Sequence, residues 1–237
     1  MNNLLMMLER RFPAVHNHGE QAQLIHFVET AAASREARIL EVGCGFGGNM
    51  IALKTAGFSR VMGVDVNPQT VAANLAKGLD CVTADGFDGK DFDIVIMAHV
   101  IEHFQPEPLM VFLDRYLDAL KPGGVLIVST PLLWEGFYQD FDHIKPYYPK
   151  GLLSIFEQGI VQVQYYGRNR LSLVGHPWVR KMPFLIAGHK YFLIQPFNLF
   201  ERIVQVGLNL AFYGSRGRIG KPNGWMGVFR KEPGGNQ

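Results

Sequence analysis

The sequence predicts an α/β fold: a doubly wound, mostly parallel seven-stranded sheet with a helical insertion between its last two strands. Three observations predict it. Short apolar runs alternate with helix-period segments from residue 38 to residue 131, the pattern that builds βαβ units. The first run ends in a glycine-rich corner, Gly43-Cys44-Gly45-Phe46-Gly47-Gly48. Finally, roughly 50 residues, about Asn169–Asn223, separate two late strand candidates, far more than a hairpin loop holds. The chain is read as a single domain over 1–237, with N-terminal helices in 1–35, a core in 36–168, the insertion in 169–223, and a last strand and tail in 224–237.

Composition bounds this reading. A chain of 237 residues with 48% hydrophobic and 19% charged residues buries a sizeable core and lies outside the disordered class. Two cysteines, Cys44 and Cys81, have no metal-ligand spacing and fit a reducing cytoplasm better than a disulfide framework. The start, MNNLLMMLERRF, places apolar residues before its charges and lacks the long apolar core of a signal peptide. No uncharged apolar run reaches the length of a membrane span. Charge is uneven: residues 1–167 carry a net −7 and residues 168–237 a net +9. The basic last third points to an anionic substrate, a membrane surface or a nucleic acid.

In order, the first helix is expected at Asn3–Phe12, stopped by Pro13, and the second at Glu20–Ala33. His16 and His18 lie in the polar loop between them, where surface placement is the plain reading and a pocket edge the alternative. Strand one is Arg38–Val42 with its helix Asn49–Ala56; strand two, Arg60–Val64, leads to Asp65 and a helix Gln69–Lys77. Strand three is Asp80–Thr83 and strand four Phe92–His99. A helix over Pro106–Leu120 stops at a Lys121-Pro122-Gly123-Gly124 turn. Strand five is Val125–Ser129, a helix follows at Lys150–Gln158, strand six is Val161–Tyr166 and the last strand Gly224–Arg230.

Ligands of such sheets sit beyond the carboxyl ends of the strands, which directs attention to the residues just after each strand. Glycine in the corner permits positive φ and close approach of a ligand to the backbone. Asp65, a little over ~20 residues beyond the first glycine, has the position of a ribose-binding carboxylate; a helix N-cap is its structural alternative. Asp85, before Gly86, is an acceptor for a purine amine or an ordinary turn residue.

Together, ILEVGCGFGG, VMGVDVNP, TADGFD, FDIVIMAHVIEHF and LKPGGVLIVSTP resemble the motifs of class I S-adenosylmethionine-dependent methyltransferases. The likeness is to the branch holding ubiquinone-type and glycan-modifying small-molecule enzymes. It covers about residues 36–131 and implies a Rossmann-like methyltransferase fold with S-adenosyl-L-methionine as cofactor. It also implies roles. Glu41 and the backbone of Gly43, Cys44, Gly45 and Gly47 meet the methionine part; Asp65 holds the ribose, with Val66 against the adenine face. Asp85 and Gly86 sit at the adenine edge, and Ala98 and His99 lie beside the transferring methyl. His99 departs from the small or polar residue often found there. A nicotinamide-dependent oxidoreductase, the alternative for a glycine corner, would usually show G-x-G-x-x-G where this chain runs G-x-G-x-G.

For the acceptor side, Asp140-Phe141-Asp142-His143 resembles the family's D-x-x-H stretch after strand five. His143 is the candidate base, with Asp140 or Asp142 orienting it or binding a substrate hydroxyl; packing of His143 without catalysis is the alternative, since methyl transfer often needs only positioning. No metal is expected, because Asp140, Asp142 and His143 lack a convincing further ligand. The expected activity is methyl transfer, most readily O-methylation, to a small-molecule, glycan or lipid-linked acceptor. A catalytically silent cofactor-binding interaction module is the rival. Residues 178–213 offer a lid, a homodimer interface or a peripheral contact at the inner face of the membrane. Their dispersed basic residues argue against nucleic acid.

Overall fold

The computed structural model describes residues 2–233 except 14, 16, 157–163, 165, 187, 189, 191, 192 and 194. Seven strands form its sheet: β1 Ile39–Val42, β2 Val61–Asp65, β3 Asp80–Thr83, β4 Phe92–Ala98, β5 Leu120–Pro131, β6 Leu171–Met182 and β7 Lys221–Lys231. Their order is β3-β2-β1-β4-β5-β7-β6. β1 to β5 pair in parallel, and β7 runs antiparallel between β5 and β6. The order reverses between β1 and β4, which opens a crevice at their carboxyl ends.

Central strands covered on both faces must be apolar almost throughout, and all four residues of β1 are buried. The two-residue period of a strand sends alternate side chains to opposite layers. Leu40, Val95, Met97, Leu126 and Val128 meet Leu109, Leu113 and Leu117 of α5 (Pro106–Asp118). Ile39, Ile94, Ile96 and Ile127 face the other way, onto Leu24 and Val28 of α2 (Glu20–Ala31) and Leu53 of α3 (Gly48–Thr55). Further α-helices among the described residues include α1 (Asn2–Arg11), α4 (Pro68–Ala76), the short α6 (Pro149–Leu153) and α7 (Leu199–Gly214).

Four expectations are corrected. The sixth strand is Leu171–Met182; the expected strand Val161–Tyr166 falls largely outside the described residues, and Tyr166 is not in a strand. Gly175 and Pro177 interrupt this segment, which was expected within the helical insertion, and the sheet absorbs them in a register shift between Val174 and Trp178. The insertion therefore spans 183–220 and not 169–223. Lys121-Pro122-Gly123-Gly124 belongs to β5, where Gly123 takes φ 77° and the pairing with β4 shifts between Phe92 and Ile94. The helix expected over Lys150–Gln158 is helical only from Pro149 to Leu153, and its expected end lies outside the described residues.

Within the insertion, Asn198 and Glu201 form a reciprocal capping box that starts α7. That helix packs on α1. Arg202 makes two hydrogen bonds to Glu9 (2.9 and 2.6 Å), Asn209 donates to the Phe12 carbonyl, and Tyr213 donates to the Pro13 carbonyl. Among the described residues, no helix is long and apolar enough to cross a membrane. His16 lies outside the described residues, whereas His18 packs edge-on against Phe212.

Candidate active site

The glycine corner is strapped from both sides. Gly43, Gly45 and Gly47 all have positive φ, a conformation that side chains with a Cβ rarely adopt. Gly43 also has no room: a Cβ there would lie 2.5 Å from Cγ2 of Val100. Asp65, at the end of β2, accepts from the amides of Gly45 and Asn67, each at 2.9 Å. On the other flank, Asn74 donates to the Gly45 carbonyl at 2.7 Å. Each carboxylate oxygen retains acceptor capacity, so Asp65 can hold the loop and a ribose together. It does not cap α4; Asn67 does, through Gln69.

Glu41 is buried directly beneath this corner. Its Oε1 accepts from Asn49 at 2.7 Å, while Oε2 has no partner of hydrogen-bond geometry. Burial pushes its carboxyl up to about 7, against the pull of Asn49 and the Met50 amide. A cation brought close would recover the ionised form. Cys44 contributes backbone only: its side chain is buried 3.5 Å from that of Cys81, and burial raises its thiol pKa.

His99 follows β4 in a left-handed conformation, φ 57°. That geometry sets its ring, 41% exposed, against a network of charged groups that are themselves buried. Nε2 lies 3.0 Å from Glu20, and Nδ1 lies 3.2 Å from Glu102. Burial opposes the imidazolium, but the hydrogen bonds and charges of Glu102 and Glu20 outweigh it and raise His99 to about 9. Glu20 also accepts from Ser129 and Arg180, and Glu102 accepts from Thr130 at 3.0 Å. Desolvation works against the Glu20 carboxylate, yet His99, Arg180 and Ser129 bring it down to about 2. Arg180 also reaches the His99 ring, its Nη1 lying 3.0 Å from Nε2.

A cavity of about 540 Å³ opens over the strand ends. Gly43, Asp65, Val66 and Ala84 line one part, and His99, His103 and Asp142 contribute to its wall. Val66 is 83% exposed, an apolar face beside the Asp65 carboxylate. Of the residues expected at the site, Gly43, Asp65, Val66, His99 and Asp142 line this cavity. Glu41, Cys44, Gly45, Gly47, Asp85, Gly86, Ala98, Asp140 and His143 do not; neither does any described residue of 183–220.

His143 stands just behind. Its Nδ1 is 2.7 Å from the Phe137 carbonyl, which makes it the donor and leaves Nε2 the lone pair, 3.6 Å from Asp140. His103, unassigned from sequence, reaches the cavity itself. Its Nδ1 is 3.0 Å from the Asp142 carbonyl, and its ring centroid lies 5.0 Å from that of His143, the planes tilted by 55°. Ligand atoms of Glu102, His103 and His143 lie within 4.8 Å of one another. The fold thus adds Glu102 and His103 to the pairing of His143 with Asp140 that the sequence suggested. Glu20 and Arg180 were also missed, since no local signal marks residues whose partners are 79 to 160 positions away.

A glycine corner, a carboxylate after the second strand and a cavity at the switch point define a nucleoside-binding α/β domain. The chain belongs to the methyltransferase domain family, whose model matches residues 16–159. This membership implies S-adenosylmethionine as methyl donor. The ubiquinone biosynthesis O-methyltransferase of Bradyrhizobium diazoefficiens is 36% identical over 102 residues, covering 39% of each chain. Phosphoethanolamine N-methyltransferase 1 of Arabidopsis thaliana is 29% identical over 113 residues, covering 44% of this chain and 23% of that one. The matches thus span about two fifths or less of these relatives. In fold, the chain is similar to an S-adenosylmethionine-dependent methyltransferase from Archaeoglobus fulgidus, with a TM-score of 0.58 at 19% identity over 95% of this chain and 99% of that one.

The residues present fit the donor. The glycine cradle has no space for a Cβ at Gly43, and the buried Glu41 keeps one carboxylate oxygen without a hydrogen-bond partner. Asp65, with one backbone donor on each oxygen, retains acceptor capacity at the end of β2.

Proposed function

We propose that the protein transfers a methyl group from S-adenosylmethionine to a hydroxyl of a small-molecule, glycan or lipid-linked acceptor. One observation carries this reading: a single cavity joins Gly43, Asp65 and Val66 to His103 and Asp142. The first three suit the donor. The last two offer proton acceptors on the wall where an acceptor hydroxyl would enter.

The bound sulfonium supplies an already activated methyl group. The chain then has to align the acceptor and exclude water, which accounts for most of the acceleration such a displacement needs. Asp142 binds and orients the hydroxyl, and His103 or His143 takes its proton. Charged His99 and its carboxylates hold the wall rigid.

A lipid-linked acceptor also accords with the exposed apolar side chains of Leu199, Phe200 and Ile203 on α7. They suit a peripheral contact at the inner face of a membrane, and equally a second copy of the chain. Flotation with vesicles and sedimentation of the protein alone separate these two uses.

Calorimetry with S-adenosylmethionine, followed by mass-detected turnover on matched hydroxyl and amine acceptors, tests the reading. Methylated hydroxyl products support it. Methylation confined to amines overturns the oxygen assignment, and binding without turnover across the panel favours the silent interaction module. Binding of a nicotinamide cofactor in place of S-adenosylmethionine overturns the donor assignment.

A further inference from the structure

A second cavity, of about 450 Å³, shares no lining residue with the first. It opens between the loop before α2, the end of β6 and the turn that follows α7. Its walls bring together Lys181, Arg216 and Arg218, with His18 and Gln23 opposite and Trp178 beside them. None of its lining residues is acidic. Among the described residues, none of the three cations lies within ion-pair distance of a carboxylate.

The arrangement concentrates like charge. Lys181 is pinned by its own hydrogen bond to the Arg218 carbonyl at 3.0 Å, so its ammonium stays beside the turn. Arg216 is held at φ 55°, a left-handed conformation that costs a residue with a Cβ about 1 kcal/mol or more. Glycine would relieve that cost, and glycine occupies the next position, 217. A concave wall of one sign focuses its field on the interior. Arginine forks match phosphate oxygens two at a time. Phe212, fully buried, and the half-buried Trp178 give the same cavity an apolar side, which suits the organic part of a phosphate ester.

We infer that this cavity is a binding site for a phosphate-bearing group, separate from the methyl-donor cavity. The chemistry is common to a soluble phosphate or diphosphate ester and to a phospholipid headgroup. It does not depend on the methyl-transfer reading, because the two cavities have no residue in common.

The test uses the full chain and two probes: pyrophosphate by calorimetry, and flotation with phosphatidylcholine vesicles with or without phosphatidylglycerol. The variants are Arg216→Gln combined with Arg218→Gln, and Arg216→Gly alone, which removes the charge while easing the backbone. Circular dichroism checks that each variant is folded. Pyrophosphate binding that falls at least tenfold in the double variant supports the site and a soluble ester as its ligand. Flotation that requires phosphatidylglycerol and is lost in the same variant supports a lipid headgroup. The single glycine variant should weaken either interaction at least threefold. Absence of binding to both probes, or binding that the variants leave unchanged, overturns the inference.

Discussion

Arg180, near the end of β6, donates to the carboxylate of Glu20, the first residue of α2, across 160 positions of sequence. Both are buried. Arg180 is held in turn by Asn223, through Nε to its side chain and Nη2 to its carbonyl. One guanidinium thus ties α2 to the last two strands, beside the cavity wall that His99 lines.

Removing one partner of such a pair leaves a buried charge uncompensated, at about 3–5 kcal/mol. Arg180→Met should cost that much in a denaturant titration. Adding Glu20→Gln to Arg180→Met should recover part of the loss. A double variant as unstable as the sum of the two single ones would show that the residues are not coupled.

The same network sets a pH window. His99 is raised to about 9, so its contribution is complete below the ordinary histidine value of 6.5 and fades as pH rises toward 9. Glu20 is lowered to about 2, so its contribution is complete above 4.5 and fades as pH falls toward 2. Melting temperature measured from pH 6.5 to 9 should fall more in the native protein than in His99→Gln. Parallel curves would remove the charged network from the account.

Glu41 has the opposite sign. Its carboxyl is raised to about 7, so the folded state loses stability as pH climbs from 4.5 to 7. Glu41→Gln should stabilise the ligand-free protein by about 3 kcal/mol at pH 8, the order implied by a shift of this size. The same change should weaken S-adenosylmethionine binding, because the amide cannot pair with an ammonium. A gain in stability with unchanged affinity would place Glu41 outside the donor site.

Asp65→Ala should weaken S-adenosylmethionine binding at least tenfold by calorimetry, since it deletes the ribose acceptor and releases the Gly45 and Asn67 amides. Native affinity in the variant would end the ribose assignment.

His103→Ala and His143→Ala should each lower turnover more than donor affinity. His103→Ala should have the larger effect, because that ring lines the cavity. Full activity in both variants would mean that alignment alone drives the transfer.

The donor half was legible because its signals are local. A buried apolar run, three glycines at positive φ and an acid at the end of the next strand all lie within 27 residues, from Ile39 to Asp65. Corrections arose where tertiary context overrides local preference. Gly175 and Pro177 interrupt β6 without ending it, since β7 pairs on either side of the break. The proline and glycines of 122–124 sit at the irregular start of β5. The charged network was illegible for a different reason. Glu20, Glu102 and Arg180 carry their meaning only in the partners that folding supplies, and a helix-opening glutamate is unremarkable on its own.

The insertion leaves the sheet after Met182 and re-enters at Lys221, and these two residues are paired across β6 and β7. Its ends are therefore already neighbours, as the ends of a tight hairpin turn are. The whole of 183–220 is in this sense a cassette: it hangs from one pair of residues, Met182 and Lys221, that a tight turn would also join. Because no described residue of the cassette lines the donor cavity, the surface it carries is free to diversify while the glycine corner stays as it is.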